Sequence, residues 1–338
     1  MYVTGNETLS CRAREGTFLK ILIMGAGSIG SVFGGFLAKG GHDVTLIGRP
    51  WHMEAIQAKG LHISGIWGEH TVTNLLTRTT VPGEGEFDLV LLTVKSYQTR
   101  EAVIELDRHI KAPTPILSLQ NGLGNLEAIA DIVGPDRTLG GRVIFGAEIR
   151  KPGEVSVTVY ADRVVVGPMR GSRFPAQRTE EIAALIDRSG IPCMAAPEIE
   201  RYIWGKVLYN AALNAPAAIL EINYGKLLEH ESTKALMREI IVEAFAVAHA
   251  DGIQLDWSSP EEYLESLFQK LIPATALHFP SMLQDIHHGK KTEIEALNGA
   301  IVRLGQKHAI PTPVNETLTR LVRFKEADKR NAARGTNR

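Results

Sequence analysis

The stretch Lys20–Arg49, K-I-L-I-M-G-A-G-S-I-G-S-V-F-G-G-F-L-A-K-G-G-H-D-V-T-L-I-G-R, decides the fold. Ile21 to Met24 is an unbroken apolar run, the pattern of a parallel strand covered on both faces. Gly25, Gly27 and Gly30 follow at once as G-x-G-x-x-G, with Ala26, Ser28 and Ile29 filling the motif. Gly25 permits a tight turn, Gly27 lets backbone approach a pyrophosphate, and Gly30 lets the new helix pack close to the strand. The N-terminal amides of that helix would face the phosphates. Glycines also cluster in ordinary turns, so the motif counts only in context. Here a strand precedes it, a helix follows, and a second strand, Asp43 to Ile47, comes next. Residues 25–30 are therefore expected to bind a dinucleotide.

The tip of the second strand refines this expectation. An NAD-binding turn usually carries an acidic side chain there to hold the ribose 2′-hydroxyl. This chain has Gly48-Arg49-Pro50 instead, and Asp43 comes too early in the strand to take that role. A guanidinium offers a planar fork that suits a 2′-phosphate. NADP(H) is therefore expected over NAD(H), the plain alternative being a solvated surface arginine.

A chain of 338 residues is long enough for two domains with their own cores. It has 37 basic and 38 acidic residues, a net charge of −1, so no global field points to nucleic acid or an anionic membrane. Cys11 and Cys193 are too few for a disulfide framework or a zinc site and suit a reducing cytosol. No apolar run approaches the ~20 residues of a membrane span. Residues 1–19 contain Glu7, Arg12, Arg14 and Glu15 without an apolar centre, and read as an extension before the first strand rather than a secretory signal. A cytoplasmic protein is expected.

Strand alternates with helix through the first half. Asp88 to Val94 and Pro115 to Leu119 are apolar strands, followed by Lys95-Ser96-Tyr97-Gln98 and Gln120-Asn121-Gly122 at their carboxyl ends. Helices are expected over Met53 to Gly60, Thr99 to Ile110 and Leu126 to Ile132. This is the pattern of a doubly wound parallel sheet, where ligands bind beyond the carboxyl ends of the strands, which points Lys95 and Asn121 at the cofactor. Residues 140–167 turn to β character and read as hairpin-like strands extending that sheet. A helix over Gln177 to Ser189 and a last strand over Ile191 to Ala195 follow. Near Ala196-Pro197 the character changes, and helical periodicity dominates afterwards. The domains are thus expected at 20–196 and 197–326. The polar, charged end from Lys325 is expected to fray, leaving 327–338 as a tail. An alanine-rich helical domain could pair into a homodimer.

In the helical half, Lys206, Asn210 and Asn214 recur at i, i+4 and i+8 and line one helix face, among Val207, Leu208, Ala211, Ala212 and Leu213. Polar groups in such surroundings need partners, and a substrate could supply them. A lysine placed so can serve as a general acid. The plain alternative is an exposed helix face. Further on, Ser281, Gln284 and Asp285 sit near a helix start, Gly289 marks a break, and Thr292 is expected to begin a helix that carries Glu293 and Glu295. His287 and His288 are neighbours, so on a helix they splay about 100° apart. With no third ligand suitably spaced, no metal site is expected.

The chain closely resembles the ketopantoate reductase family, from the glycine turn to about residue 322. The resemblance rests on G-A-G-S-I-G with Arg49, V-K-S-Y-Q around Lys95, Q-N-G-L-G around Asn121 and W-G-K-V-L-Y-N-A-A-L-N in the helical half. It continues through S-M-L-Q-D-I, K-K-T-E-I-E-A-L-N-G and P-T-P-V-N-E-T-L. It implies a Rossmann-type N-terminal domain and an all-helical C-terminal domain like that of 6-phosphogluconate dehydrogenase. It also implies NADPH-dependent reduction of a small 2-keto acid. Lys206 would be the proton donor, with Asn210, Asn214 and Ser281 holding substrate groups. Glu293 would accept a hydrogen bond from substrate or hold a cofactor group. Lys95, Asn121 and a backbone position near Ala147 would contact the cofactor. Asn223-Tyr224-Gly225 departs from the family's pattern, where a further substrate-binding asparagine is expected. A β-hydroxyacid dehydrogenase also places a lysine and asparagines at helical spacing, and a non-catalytic NADP-binding sensor shares the glycine turn. The S-M-L-Q-D and T-E-I stretches argue against the first, and intact Lys206 and Glu293 against the second.

Overall fold

The computed structural model describes residues 18–83 and 86–335, with side chains through Arg330. The sequence extension up to residue 17 and the last three residues of the tail lie outside them. Two compact units emerge. The first runs through Val94 and takes in Gln98–Gln120 and Leu126–Ile199. The second comprises Lys95–Tyr97, Asn121–Asn125 and Glu200–Arg338. Two short loop segments of the N-terminal half thus group with the C-terminal unit.

The first unit contains β1 (Lys20–Met24), α1 (Ser28–Lys39), β2 (Asp43–Ile47), α2 (Pro50–Lys59), β3 (Leu61–Gly65), β4 (His70–Val72), β5 (Leu75–Arg78) and β6 (Leu89–Leu92). It continues with α3 (Thr99–His109), β7 (Ile116–Ser118), α4 (Asn125–Val133), β8 (Thr138–Arg142), β9 (Phe145–Lys151), β10 (Glu154–Tyr160), β11 (Val164–Pro168), α5 (Ala176–Arg188) and β12 (Cys193–Ala195). Eight strands form the main sheet in the order β12-β11-β8-β7-β6-β1-β2-β5, parallel throughout except where β8 meets β11. The chain leaves β1 for β2 on one side and reaches β6 on the other. The sheet therefore reverses its winding at β1, where doubly wound folds place their ligands.

A second sheet, β4-β3-β10-β9, corrects the expectation that the β-rich stretch merely extends the first. β8 and β11 do join the main sheet, but the β9–β10 hairpin pairs instead with β3, through a parallel register that sets Val155 against Ile63. The physical reason lies in α1. Every residue from Gly30 to Ala38 is buried, so this helix has no face to give to water and must be covered on the side away from the main sheet. Gly34 and Gly35 make that close sandwich fit. A methyl group on Gly34 would sit 2.4 Å from Leu46 Cδ2 of the main sheet, and one on Gly35 would sit 2.5 Å from Ile63 Cδ1 of the second.

The second unit is helical: α6 (Glu200–Leu220), α7 (Glu231–Ala250), α8 (Pro260–Ser266), the single turn α9 (Ile272–Ala274), α10 (Ser281–His287), α11 (Asn298–Lys307) and α12 (Pro313–Gly335). Its core gathers Trp204, Leu208 and Ala212 of α6 with Ile240 and Ala244 of α7, Ile301 of α11 and Val322 of α12. Two expectations fail here. Thr292 and Glu293 do not open a helix: they precede a 3-10 turn, Ile294–Ala296, and α11 starts only at Asn298. Nor does the chain fray from Lys325: α12 runs on to Gly335, with Lys325 Nζ donating to the carbonyls of Ala218 (3.3 Å) and Ile219 (2.9 Å) and Glu326 buried. Among the described residues no helix is long and apolar enough to cross a membrane.

His52 ties the two sheets' neighbourhood together. It is fully buried on α2, accepts at Nδ1 from the Gly153 N–H (3.1 Å) and lies 3.0 Å from Ser31 Oγ through Nε2. Because Nδ1 accepts, the ring proton sits on Nε2, and burial holds the pKa below its usual value. A native state that disfavours the imidazolium loses stability as pH falls below the unfolded value of about 6.5 and on through the lowered folded value. Denaturant midpoints should therefore be level above pH 7 and drop between pH 7 and 5, with a shallower drop in His52→Gln. An equal slope in both proteins would contradict this assignment.

Candidate active site

Two constellations stand out, one in each unit. In the first, Gly25 closes the turn after β1 with φ at +112°, and its backbone is boxed in: a methyl group there would lie 2.6 Å from Val94 N. The amides of Gly25 and Ala26 donate to the Ile47 carbonyl at 3.0 and 2.7 Å, tying the turn to the end of β2. Thr93 Oγ donates to the Gly25 carbonyl at 2.7 Å. Gly30 allows the helix to sit against this turn, since a methyl group there would come within 2.3 Å of the Gly25 oxygen. Gly27 differs: a methyl group would meet nothing within 4 Å. Its backbone faces open space just where the first amides of α1, Ser28, Ile29 and Gly30, have no acceptor within the helix. No acidic side chain stands in that first turn. The arrangement can hold an anion by backbone donors and helix dipole together.

Arg49 follows β2 directly, sits at the N-cap of α2 and is exposed, and its guanidinium pairs with no carboxylate among the described residues. Arg78 ends the neighbouring strand β5, where its Cα pairs with Ile47. Ala147 lies on β9, the outer strand of the second sheet, opposite Val157. One edge of its backbone is therefore outside the ladder.

In the second unit, the structure assembles residues that are far apart in sequence around Glu293. This side chain is buried, 7% exposed, and its oxygens accept from three N–H groups: Lys95 Nζ at 3.2 Å, the Ser96 amide at 3.1 Å and Asn121 Nδ2 at 3.2 Å. Asn121 turns its oxygen the other way and accepts from Lys206 Nζ at 2.6 Å. Lys206 and Glu293 thus bind the two ends of one amide. Gly122 lets the Asn121 loop approach this closely, with φ at +84° and a prospective methyl group 2.3 Å from the Ala296 oxygen. The Leu123 amide then donates to that same oxygen at 2.8 Å.

Asp285, near the end of α10, is the member of this group that the sequence named but gave no role. Its carboxyl lies 3.3 Å from Lys95 Nζ, so Lys95 stands between two acids. Burial works against the Lys95 ammonium, yet Glu293 and Asp285 together outweigh it and hold the pKa above its usual value. Burial pushes the Asp285 carboxyl up, only partly offset by Lys95. The signal in the sequence was Asp285's place four residues after Ser281, on one face of a short helix.

The remaining site candidates are placed as follows. Asn210 and Asn214 are buried on α6, one turn apart, with Asn214 Nδ2 3.5 Å from Asn210 Oδ1. Asn214 Oδ1 accepts from the Met282 amide at 3.4 Å, which anchors the first turn of α10, and Ser281 beside it is exposed. In the departing stretch, Tyr224 is buried and burial raises its pKa, while Asn223 caps the Lys226 amide at 3.2 Å. Among the described residues no group of three or more His, Cys, Asp or Glu side chains is placed to hold a metal ion.

Known proteins resemble this chain in sequence and in fold. The family model described as ketopantoate reductase PanE/ApbA matches residues 21–171, and its C-terminal counterpart matches residues 198–326. The 2-dehydropantoate 2-reductase of Aquifex aeolicus is 40% identical over 310 residues, covering 91% of this chain and 97% of that protein. The enzyme of the same name from Pyrococcus horikoshii is 36% identical, covering 91% and 98%. Among solved structures, a PanE/ApbA family ketopantoate reductase from Ralstonia eutropha JMP134 matches with a TM-score of 0.81 and 32% identity, over 92% of this chain and 99% of that one. D-mandelate dehydrogenase, solved with NADH and anilino(oxo)acetate, matches with a TM-score of 0.82 and 29% identity over the same shares. With a doubly wound N-terminal unit, a helical C-terminal unit and both family matches in sequence order, the chain belongs to the ketopantoate reductase family of oxidoreductases.

Proposed function

We propose that the chain reduces 2-dehydropantoate to pantoate with NADPH, a step toward pantothenate and coenzyme A. The observation that carries this reading is the chain Lys206–Asn121–Glu293–Lys95. It sets a cationic donor and an acidic acceptor on opposite ends of one amide, in a protein whose relatives bear the name of that reductase.

The N-terminal unit fits a dinucleotide. Gly27 opens onto free space, the α1 amides can take a pyrophosphate, and Arg49 offers an uncommitted guanidinium for a 2′-phosphate. Lys95, Asn121 and the backbone at Ala147 would add contacts. When bound, the nicotinamide supplies the hydride. The chain's own residues then have the other tasks. Lys206 would donate a proton to the keto oxygen as the carbonyl carbon becomes tetrahedral. Asn121, fixed by Glu293, keeps the Lys206 ammonium pointed. Asn210, Asn214 and Ser281 would hold the substrate's carboxylate and hydroxyl groups, and Glu293 would accept a hydrogen bond from a hydroxyl. Such positioning, rather than covalent chemistry, is what the protein contributes.

A second reading keeps the reaction class and changes the substrate and cofactor. The likeness to D-mandelate dehydrogenase with NADH favours an aromatic 2-keto acid and NADH as the pair to test against. Initial rates with ketopantoate and with benzoylformate, each with NADPH and NADH, separate the readings. Ketopantoate with NADPH is the expected best pair, and faster turnover of benzoylformate with NADH would overturn it.

Two variants probe the roles. Lys206→Ala should keep its fold and NADPH affinity while kcat falls by ~10²- to 10⁴-fold, the usual worth of a positioned acid. Parental turnover would remove Lys206 from the chemistry. Arg49→Ala should weaken NADPH binding by about 1.5–3 kcal/mol, the worth of a charge-assisted bond, and leave NADH binding nearly unchanged. Equal losses for both cofactors, measured by fluorescence titration, would rule out 2′-phosphate recognition.

A further inference from the structure

Glu293 is held from above by Lys95, Ser96 and Asn121, but something must also fix the backbone that carries it. The segment from Thr292 to Ala296 is not regular helix, and its geometry is set by side chains from α12. Glu326 of α12 is 5% exposed, and its Oε1 accepts from the Thr292 amide at 2.8 Å and from Thr292 Oγ in a short hydrogen bond. Thr292, 1% exposed, uses the same Oγ to accept from the Ile294 amide at 3.2 Å. The other oxygen of Glu326 meets Arg330 at 3.2 Å. Two residues past Glu293, Arg323 of α12 grips Glu295 through Nε at 2.6 Å and through a second nitrogen at 3.0 Å. The residue before Glu293 and the residue two after it are thus both fastened to one helix.

The two fastenings differ in kind. The Arg323–Glu295 pair is two-pronged and shared with Arg303, but Arg323 is exposed and Glu295 only half-buried, so salt screens it. The Glu326–Thr292 contact is buried, and a buried acid keeps its place only while its oxygens are satisfied. Moreover, Thr292 passes the constraint through its hydroxyl across Glu293 to the Ile294 amide. We infer that Glu326 is a positioning residue for the reaction: through Thr292 it fixes the backbone of Glu293 and hence the direction of its carboxyl group. This rests on the reading of Glu293 as part of the catalytic machinery. It gives α12 a task beyond packing, at the end of the chain where sequence reading expects a frayed tail.

The test is steady-state kinetics with ketopantoate and NADPH on Glu326→Ala, Glu326→Gln, Thr292→Val, Thr292→Ser and the Glu326→Ala/Thr292→Val double variant, with Glu293→Gln as control. Displacing a group by about an ångström costs up to ~100-fold, so kcat should fall by ~10- to 100-fold in Glu326→Ala and Thr292→Val. KM for NADPH should change little. Glu326→Gln and Thr292→Ser, which keep an oxygen in place, should recover most of the activity. The double variant should lose no more than the worse single one, because both act through one contact. Amide hydrogen exchange at residues 292–296 should quicken in Glu326→Ala, independently of turnover. Parental kcat in folded Glu326→Ala, with Glu293→Gln inactive, would overturn the positioning role alone. Losses that multiply in the double variant would do the same. Parental kcat in Glu293→Gln would overturn both this inference and the reading on which it rests. Should Glu326→Ala fail to fold, the isosteric Thr292→Val carries the same two outcomes.

Discussion

A buried carboxyl group has to be satisfied on every oxygen, and Glu293 imposes that requirement on the whole C-terminal unit. Three N–H donors answer it, and they come from two loops that follow strands β6 and β7 of the other half of the sequence. This is why Lys95–Tyr97 and Asn121–Asn125 belong with the helices in compactness. Gly122 is needed for the second loop to come close enough, and Asn121 can then present its oxygen to Lys206. Remove the acid and the donors lose their common partner, so the lysine would lose its orientation as well. One side chain organises three others and a backbone amide.

The same logic of cover and satisfaction shapes the N-terminal unit. An α1 built from small and apolar residues leaves no polar face, and a second sheet has to close over it. His52 locks that arrangement by taking the Gly153 amide into its ring, at the cost of sensitivity to acid. The glycine turn is therefore supported on two sides, and only Gly27 is left with space before it. A rigid turn with one open face is what a binding site for an anion requires.

Much of the fold was legible because parallel strands and a glycine turn write themselves locally. Apolar runs such as Ile21–Met24 and Leu89–Leu92 announce buried strands, and the spacing of Lys206, Asn210 and Asn214 announces a helix face. The second sheet was not legible, since β character at Phe145–Tyr160 says nothing about which edge the hairpin will join. The 292–296 segment looked helical because its residues permit helix. Tertiary hydrogen bonds from Glu326, Lys95 and Asn121 overrode that preference. Strand ends pointed Lys95 and Asn121 at a cofactor, and family resemblance gave Glu293 a substrate or cofactor contact, but that the three hydrogen-bond one another was not anticipated, because spacing carries no such information. Asp285 and Glu326 went unassigned because a lone acid on a polar helix reads as a solvated one.

The central claim is that Lys206 delivers the proton to the keto carbon's oxygen. A crystal structure of the protein with NADP⁺ and ketopantoate tests it most directly. The account requires the Lys206 ammonium within hydrogen-bond reach of the keto oxygen, about 2.6–3.2 Å, with Asn121 still joining it to Glu293. A keto oxygen held by another donor, with Lys206 turned away from it, would contradict the claim.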